Sequence, residues 1–223
     1  MVMLIFAFGL GDVWSAGRTM DVEKLKEYYH SLTISSPRTE EELFLFAITS
    51  YHLAGYYMKE NRDSALLIID RAIDILEKSK IESSDKFAFL SSFYGTRGAI
   101  LKFPKVIFLS RKAKGYIRRA MEMDSTNPRV WLFLGIMTFY TPGLFGGGPD
   151  KAYRYLFRAL NLFERSKSIR YRWGEDVAYI YISRILYEKG DTSSAVAILK
   201  KALEKYPDFR WAKELLQKYK KRL

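Results

Sequence analysis

Three observations in the sequence predict an all-α chain of stacked antiparallel helical hairpins. Residues 127 to 163 hold a full helix, turn, helix unit: Trp131, Leu134 and Gly135 mark the first helix, and Ala152, Leu156 and Ala159 share one face of the second. Between the two, Thr141 to Asp150 carries two prolines and four glycines, which cannot continue a helix. The same slots return elsewhere in the chain. Tyr179, Ile182, Ser183, Leu186 and Gly190 precede Ala195, Leu199, Ala202 and Pro207; Leu53 and Tyr56 precede Ala65, Ile69 and Ala72; and Ala113, Ile117 and Ala120 lead into Asp124 and Asn127-Pro128. A returning pattern implies similar units, each burying its apolar face on its neighbours.

Each element can be justified in order. Val2 to Leu10 is a run of apolar residues and glycine, shorter than the ~20 residues that span a bilayer. Its length suits the apolar segment of a secretory leader, and Ser15 and Gly17 are spaced for cleavage, although no basic side chain precedes it. Residues 1–17 are expected to be a signal peptide or an apolar strap, and residues 18–223 a single helical domain. The first alternative implies an exported or periplasmic protein, the second a cytoplasmic one. Asp21 caps a helix carrying Leu25, Tyr28, Tyr29 and Leu32, which ends at Ser35-Ser36-Pro37. Thr39 and Glu42 form a capping box for a helix over 42–58. Asn61-Arg62-Asp63 turns the chain into a helix over 64–80, and a further first helix is expected over about 87–103. Asp191 caps the last repeat's second helix. After Pro207 a terminal helix places Phe209, Trp211, Leu215, Leu216 and Tyr219 inward and its lysines outward, sealing the open end of the stack.

The Trp, Leu, Gly slots followed by an Ala, bulky, Ala row resemble the tetratricopeptide repeat. The resemblance covers residues 40 to 207 as four degenerate repeats. Thr49 and His52 stand in the Trp and Leu slots of the first, and extra residues around Pro104 offset the second. It implies a right-handed helical-hairpin solenoid whose first helices line a concave groove for a peptide, a partner protein or a small apolar ligand. Carried over slot by slot, that lining includes Tyr57, Arg129, Phe139, Tyr140, Arg184 and Tyr187, an aromatic trough with two cationic points. Members that grip chaperone tails use basic residues and asparagines where this chain has Leu132 and Ile136, which points away from that partner. The glycine-rich turn before an Ala-containing helix is also similar to the repeat-type accessory components of periplasmic uptake systems.

Charge and composition bound the remaining functions. The chain of 223 residues has a formal net charge of +12. Lys105 to Ala120 holds six basic and no acidic residues, and Lys151 to Arg172 is similarly biased, so nucleic acid or another anionic polymer is the alternative partner. There is no cysteine, which excludes disulfides and thiol chemistry. The two histidines, His30 and His52, lie on different helices without a metal-ligand motif, so neither a metal nor a cofactor nor a catalytic role is expected. Few Asn and Gln beside abundant Lys, Arg and Glu resemble the composition of a thermophile protein. The glycines before Asp150 lack the lysine and the preceding strand of a phosphate loop, and Asp150 is expected to cap the following helix. Leu144 and Phe145 at the tip of that loop are instead candidate contact residues.

Overall fold

The computed structural model describes residues 8–166 and 172–222. Lys167 and Arg170 of the second basic stretch, and the part of the apolar run before Phe8, lie outside the described residues. Among those described there are eleven α-helices, one short 3-10 helix and no strand. The chain divides into two compact units that meet in sequence at Asp124 and Ser125. The first contains α1 (Leu10–Thr19), α2 (Val22–Ser35), α3 (Glu40–Glu60), α4 (Arg62–Lys78), α5 (Ser84–Leu101) and α6 (Lys105–Met123). The second contains α7 (Pro128–Tyr140), the 3-10 turn Gly143–Phe145, α8 (Pro149–Arg165), α9 (Glu175–Glu188), α10 (Thr192–Lys205) and α11 (Arg210–Lys220).

Four antiparallel hairpins result: α3 with α4, α5 with α6, α7 with α8, and α9 with α10. Within each unit the hairpins also pack on one another, α4 on α5 and α8 on α9, and α11 lies against α10. Local chemistry sets the boundaries. The Thr39 hydroxyl accepts the Glu42 N–H at 3.2 Å and the Glu42 carboxylate accepts the Thr39 N–H at 3.1 Å, so two orphan donors are satisfied. Asp21 and Asp191 accept the Lys24 and Ser194 N–H groups, capping α2 and α10. The helix expected over about 87–103 starts earlier, behind the Ser83 cap, and stops at Leu101, because Lys102 adopts a positive φ of 57° and Pro104 follows it. Asp150 is corrected too. Gly148 is the N-cap of α8 and Pro149 its first residue, while Asp150 forms an ion pair with Lys189.

The two helices of a hairpin are buried differently. Each second helix hides one face centred on a single row: Ala65, Ile69 and Ala72 on α4, Ala113, Ile117 and Ala120 on α6, Ala152, Leu156 and Ala159 on α8, and Ala195, Leu199 and Ala202 on α10. The first helices are buried all round over their leading turns, at 43–50, 84–91, 127–133 and 175–183. A helix enclosed on every side is an interior helix, and small residues let its partner close in. At Gly135 a Cβ would lie 2.7 Å from Leu156 Cγ, so no larger residue fits without movement. Buried hydroxyls there bond to the helix's own carbonyls: Thr49 to Leu45, Ser50 to Phe46 and Ser183 to Ile180. The wholly buried Glu175 carboxylate accepts from the Tyr206 hydroxyl at 2.7 Å and pairs with Lys205 and Arg172.

Residues 10–17 of the expected leader or strap form most of α1. Val13, Trp14 and Ala16 are buried, and α1 packs on α2 and α3. Gly17 sits against the His52 ring so closely that a Cβ there would meet Nε2 at 2.4 Å.

Candidate ligand-binding face

Because the first helices are enclosed over the stretches just given, their open aromatic surface lies at the trailing ends. In the second unit those ends carry aromatic residues. Phe139 and Tyr140 close α7, and Tyr140 is 60 % exposed. Their rings meet Tyr181 of α9 edge-on at 6.0 and 6.1 Å, and Tyr181 in turn meets Trp211 of α11 at 6.0 Å. The Arg184 guanidinium lies 5.1 Å from the Phe139 ring, 5.5 Å from Tyr140 and 5.2 Å from Tyr181, and donates to the Tyr140 hydroxyl at 2.7 Å. Three ring faces around one guanidinium form a multiple cation–π contact. Burial alone would lower the Arg184 pKa, but Tyr140, Tyr181 and Glu188 outweigh it and the net shift is upward, so the side chain stays cationic.

The structure brings three of the six groove candidates together: Phe139, Tyr140 and Arg184. The other three are placed differently. Tyr187 is half-buried, stacked face to face on Tyr219 of α11 at 3.9 Å, with Arg222 5.6 Å from its ring. Its plane is thus covered by the terminal helix on one side, and its hydroxyl is buried with no hydrogen-bond partner among the described residues. Arg129 does not line an open surface. It is wholly buried, because the leading turns of α7 are enclosed on every side and the helical period no longer selects an outward face there. Tyr57 belongs to the first unit, where it is half-buried and meets Tyr56 edge-on at 5.2 Å. The enclosure also removes Leu132, which is wholly buried and packs against Gly174. Two rings that support this face, the buried Tyr181 and Trp211 beside it, stand outside the sequence candidates. The three-residue step from Tyr181 to Arg184 on one helix was the available signal, while Trp211 read as part of a seal.

The glycine-rich turn displays Leu144 and Phe145, 91 % and 67 % exposed. It is not an anion cradle. The N–H groups of Phe145 and Gly147 donate to Pro142, that of Gly146 to Gly143 and that of Gly148 to Thr138. Gly147 is required by the tightness of the turn, since a Cβ there would fall 1.8 Å from the Thr141 carbonyl oxygen. Among the described residues no group of three or more His, Asp or Glu could hold a metal ion, and no helix is long and apolar enough to cross a membrane.

No family model matches the chain, and no curated protein matches it significantly. Among solved structures it is similar to the HusA haemophore from Porphyromonas gingivalis, with a TM-score of 0.53 and 19% identity over 81% of this chain and 96% of that one. It is also similar to YrrB, a TPR protein with an unusual peptide-binding site, at a TM-score of 0.41 and 18% identity over 89% and 88% of the two chains. MamA follows with a TM-score of 0.38 and 16% identity over 88% and 93%. At 19% identity the first of these is a likeness of fold.

Proposed function

We propose that the chain is a non-catalytic binding protein whose second unit receives an extended peptide, carried by a partner protein or free, on the trailing ends of α7 and α9 and on α11. The observation that carries this reading is Arg184, held between the Phe139, Tyr140 and Tyr181 rings on two successive first helices with Tyr140 open to solvent. Aromatic faces supply contact area at small entropic cost, and a pre-positioned guanidinium orients an anionic end. Leu144 and Phe145, on the turn that follows α7, give the same ligand a second apolar contact. Screening a peptide library against the immobilised chain tests this. Binders with apolar side chains and a free carboxylate are expected, and Arg184→Ala or Tyr140→Ala should weaken them about ten-fold or more. Binding indifferent to both substitutions would discard the reading.

A small apolar anion is a second occupant that the same groups suit. The flat Tyr187–Tyr219 pair, with Arg222 beside it and a buried Tyr187 hydroxyl that has no partner among the described residues, favours a planar one. Haem is the probe of choice, since HusA is a haemophore, and a Soret shift on titration reads its binding directly. Export, and with it a role beside a periplasmic uptake system, belongs to the same proposal and rests on the apolar run Val2 to Leu10. Sequencing the N-terminus of the native protein tests it: a chain beginning at Arg18 supports a cleaved leader, and one that keeps α1 supports the strap.

A further inference from the structure

The first unit carries an exposed apolar tip, which among the described residues only the Lys112 ammonium approaches, 5.7 Å from the Phe108 ring. Phe103, in the turn between α5 and α6, is 78 % exposed, and Ile107 and Phe108 on the first turn of α6 are 50 % and 62 % exposed. Lone exposed apolar residues are ordinary, but three within six positions at one end of a hairpin form a patch. Behind the patch, Ile107, Arg111, Lys114 and Arg118 follow at spacings of four, three and four, so they form one stripe opposite the buried Leu109, Ala113, Ile117 and Ala120. Lys105, Arg111, Lys114 and Arg118 have no ion-pair partner among the described residues, whereas Lys112 and Arg119, on the side facing α4, pair with Glu77 and Glu82. No acidic residue occurs from Lys86 to Met121.

We propose that this tip docks on the surface of an anionic lipid bilayer, with Phe103, Ile107 and Phe108 entering the headgroup boundary and Arg111, Lys114 and Arg118 remaining at the phosphates. Charge complementarity selects the occupant. A second copy of the chain would bring the same unpaired cations face to face. A nucleic acid would leave Ile107 without a role, since it has no ring to stack on a base. An interface that is oily within and anionic at its rim uses both halves of the pattern: apolar side chains at the end and cations along the helix behind them. The helix is too charged to span the bilayer, so the attachment is peripheral and reversible.

The test is co-sedimentation of the full chain with vesicles of phosphatidylcholine, alone or containing about one third phosphatidylglycerol, in roughly 0.1 M salt. The wild-type chain should pellet with the anionic vesicles and not with the neutral ones. Phe103→Ser with Phe108→Ser should lower the partition at least about ten-fold. The triple variant Arg111→Gln, Lys114→Gln, Arg118→Gln should lower it about a hundred-fold, at roughly five-fold for each cation near an anionic leaflet. All five side chains are exposed, and an unchanged far-ultraviolet circular dichroism spectrum verifies that the variants fold. Failure of the wild-type chain to pellet overturns the proposal. So does binding that the phenylalanine pair leaves unaltered and that duplex DNA competes away, which would mark a polyanion surface. A dimer that the phenylalanine pair dissociates, without vesicle binding, would mark a contact between copies and overturn it equally.

Discussion

His52 couples α1 to α3 and makes stability depend on pH. Burial of its imidazole, with the Arg18 guanidinium nearby, lowers its pKa to about 4 from the ordinary 6.5. As pH falls from 6.5 to 4 the unfolded chain takes up a proton that the folded chain refuses. Stability therefore declines through that window, is fully present above it and changes no further below it on this account. The decline should amount to about 1–3 kcal/mol, after allowing for the partial exposure of the residue. Urea titrations at several pH values check this, and His52→Gln should flatten the stability profile between 6.5 and 4.5. Gly135 makes a second residue-scale case. Gly135→Ala drives a methyl into the buried Leu156 and should destabilise by about 1–3 kcal/mol. In a double-mutant cycle, pairing it with Leu156→Ala should recover part of that loss, because the clash goes with the leucine.

At the scale of elements, caps and turns decide where each helix begins and what it displays. The reciprocal bonds of Thr39 and Glu42 predict that Thr39→Ala costs about 1 kcal/mol in chemical denaturation. Gly147→Ala would place its methyl against the Thr141 carbonyl, so the turn that exposes Leu144 and Phe145 cannot keep its shape. We expect that variant to keep its helical circular dichroism, since no helix contains the residue, yet to lose ligand affinity if the turn contributes contacts. Limited proteolysis of the 141–149 segment, faster in the variant, would register the change independently. The capping box was legible in the sequence because its two residues lie three positions apart. The end of α5 was less so: the left-handed backbone at Lys102 has no glycine or asparagine to announce it.

For the whole molecule, the formal charge of +12 and the aromatic face predict opposite responses to salt. A ligand held by burial on Phe139 and Tyr140 should change its Kd only a few-fold between about 50 and 200 mM salt. A polyanion neutralising six or more of the basic residues should lose about a thousand-fold over the same range. Isothermal titration of a selected peptide at two salt concentrations distinguishes them.

The recurrence of Ala, bulky, Ala rows was enough to establish the helical hairpins. Their spacing is a property of the chain itself, and any helix with that row must bury it against a partner. Spacing could not tell which faces of the first helices stay open, because that depends on what neighbouring helices enclose. Arg129 and Leu132 occupy groove slots by count and are shut inside by packing, while Tyr140 and Arg184, far apart in sequence, meet at one surface. Periodicity assigns a side to each helix; only the three-dimensional assembly of several helices creates or removes a surface for a ligand.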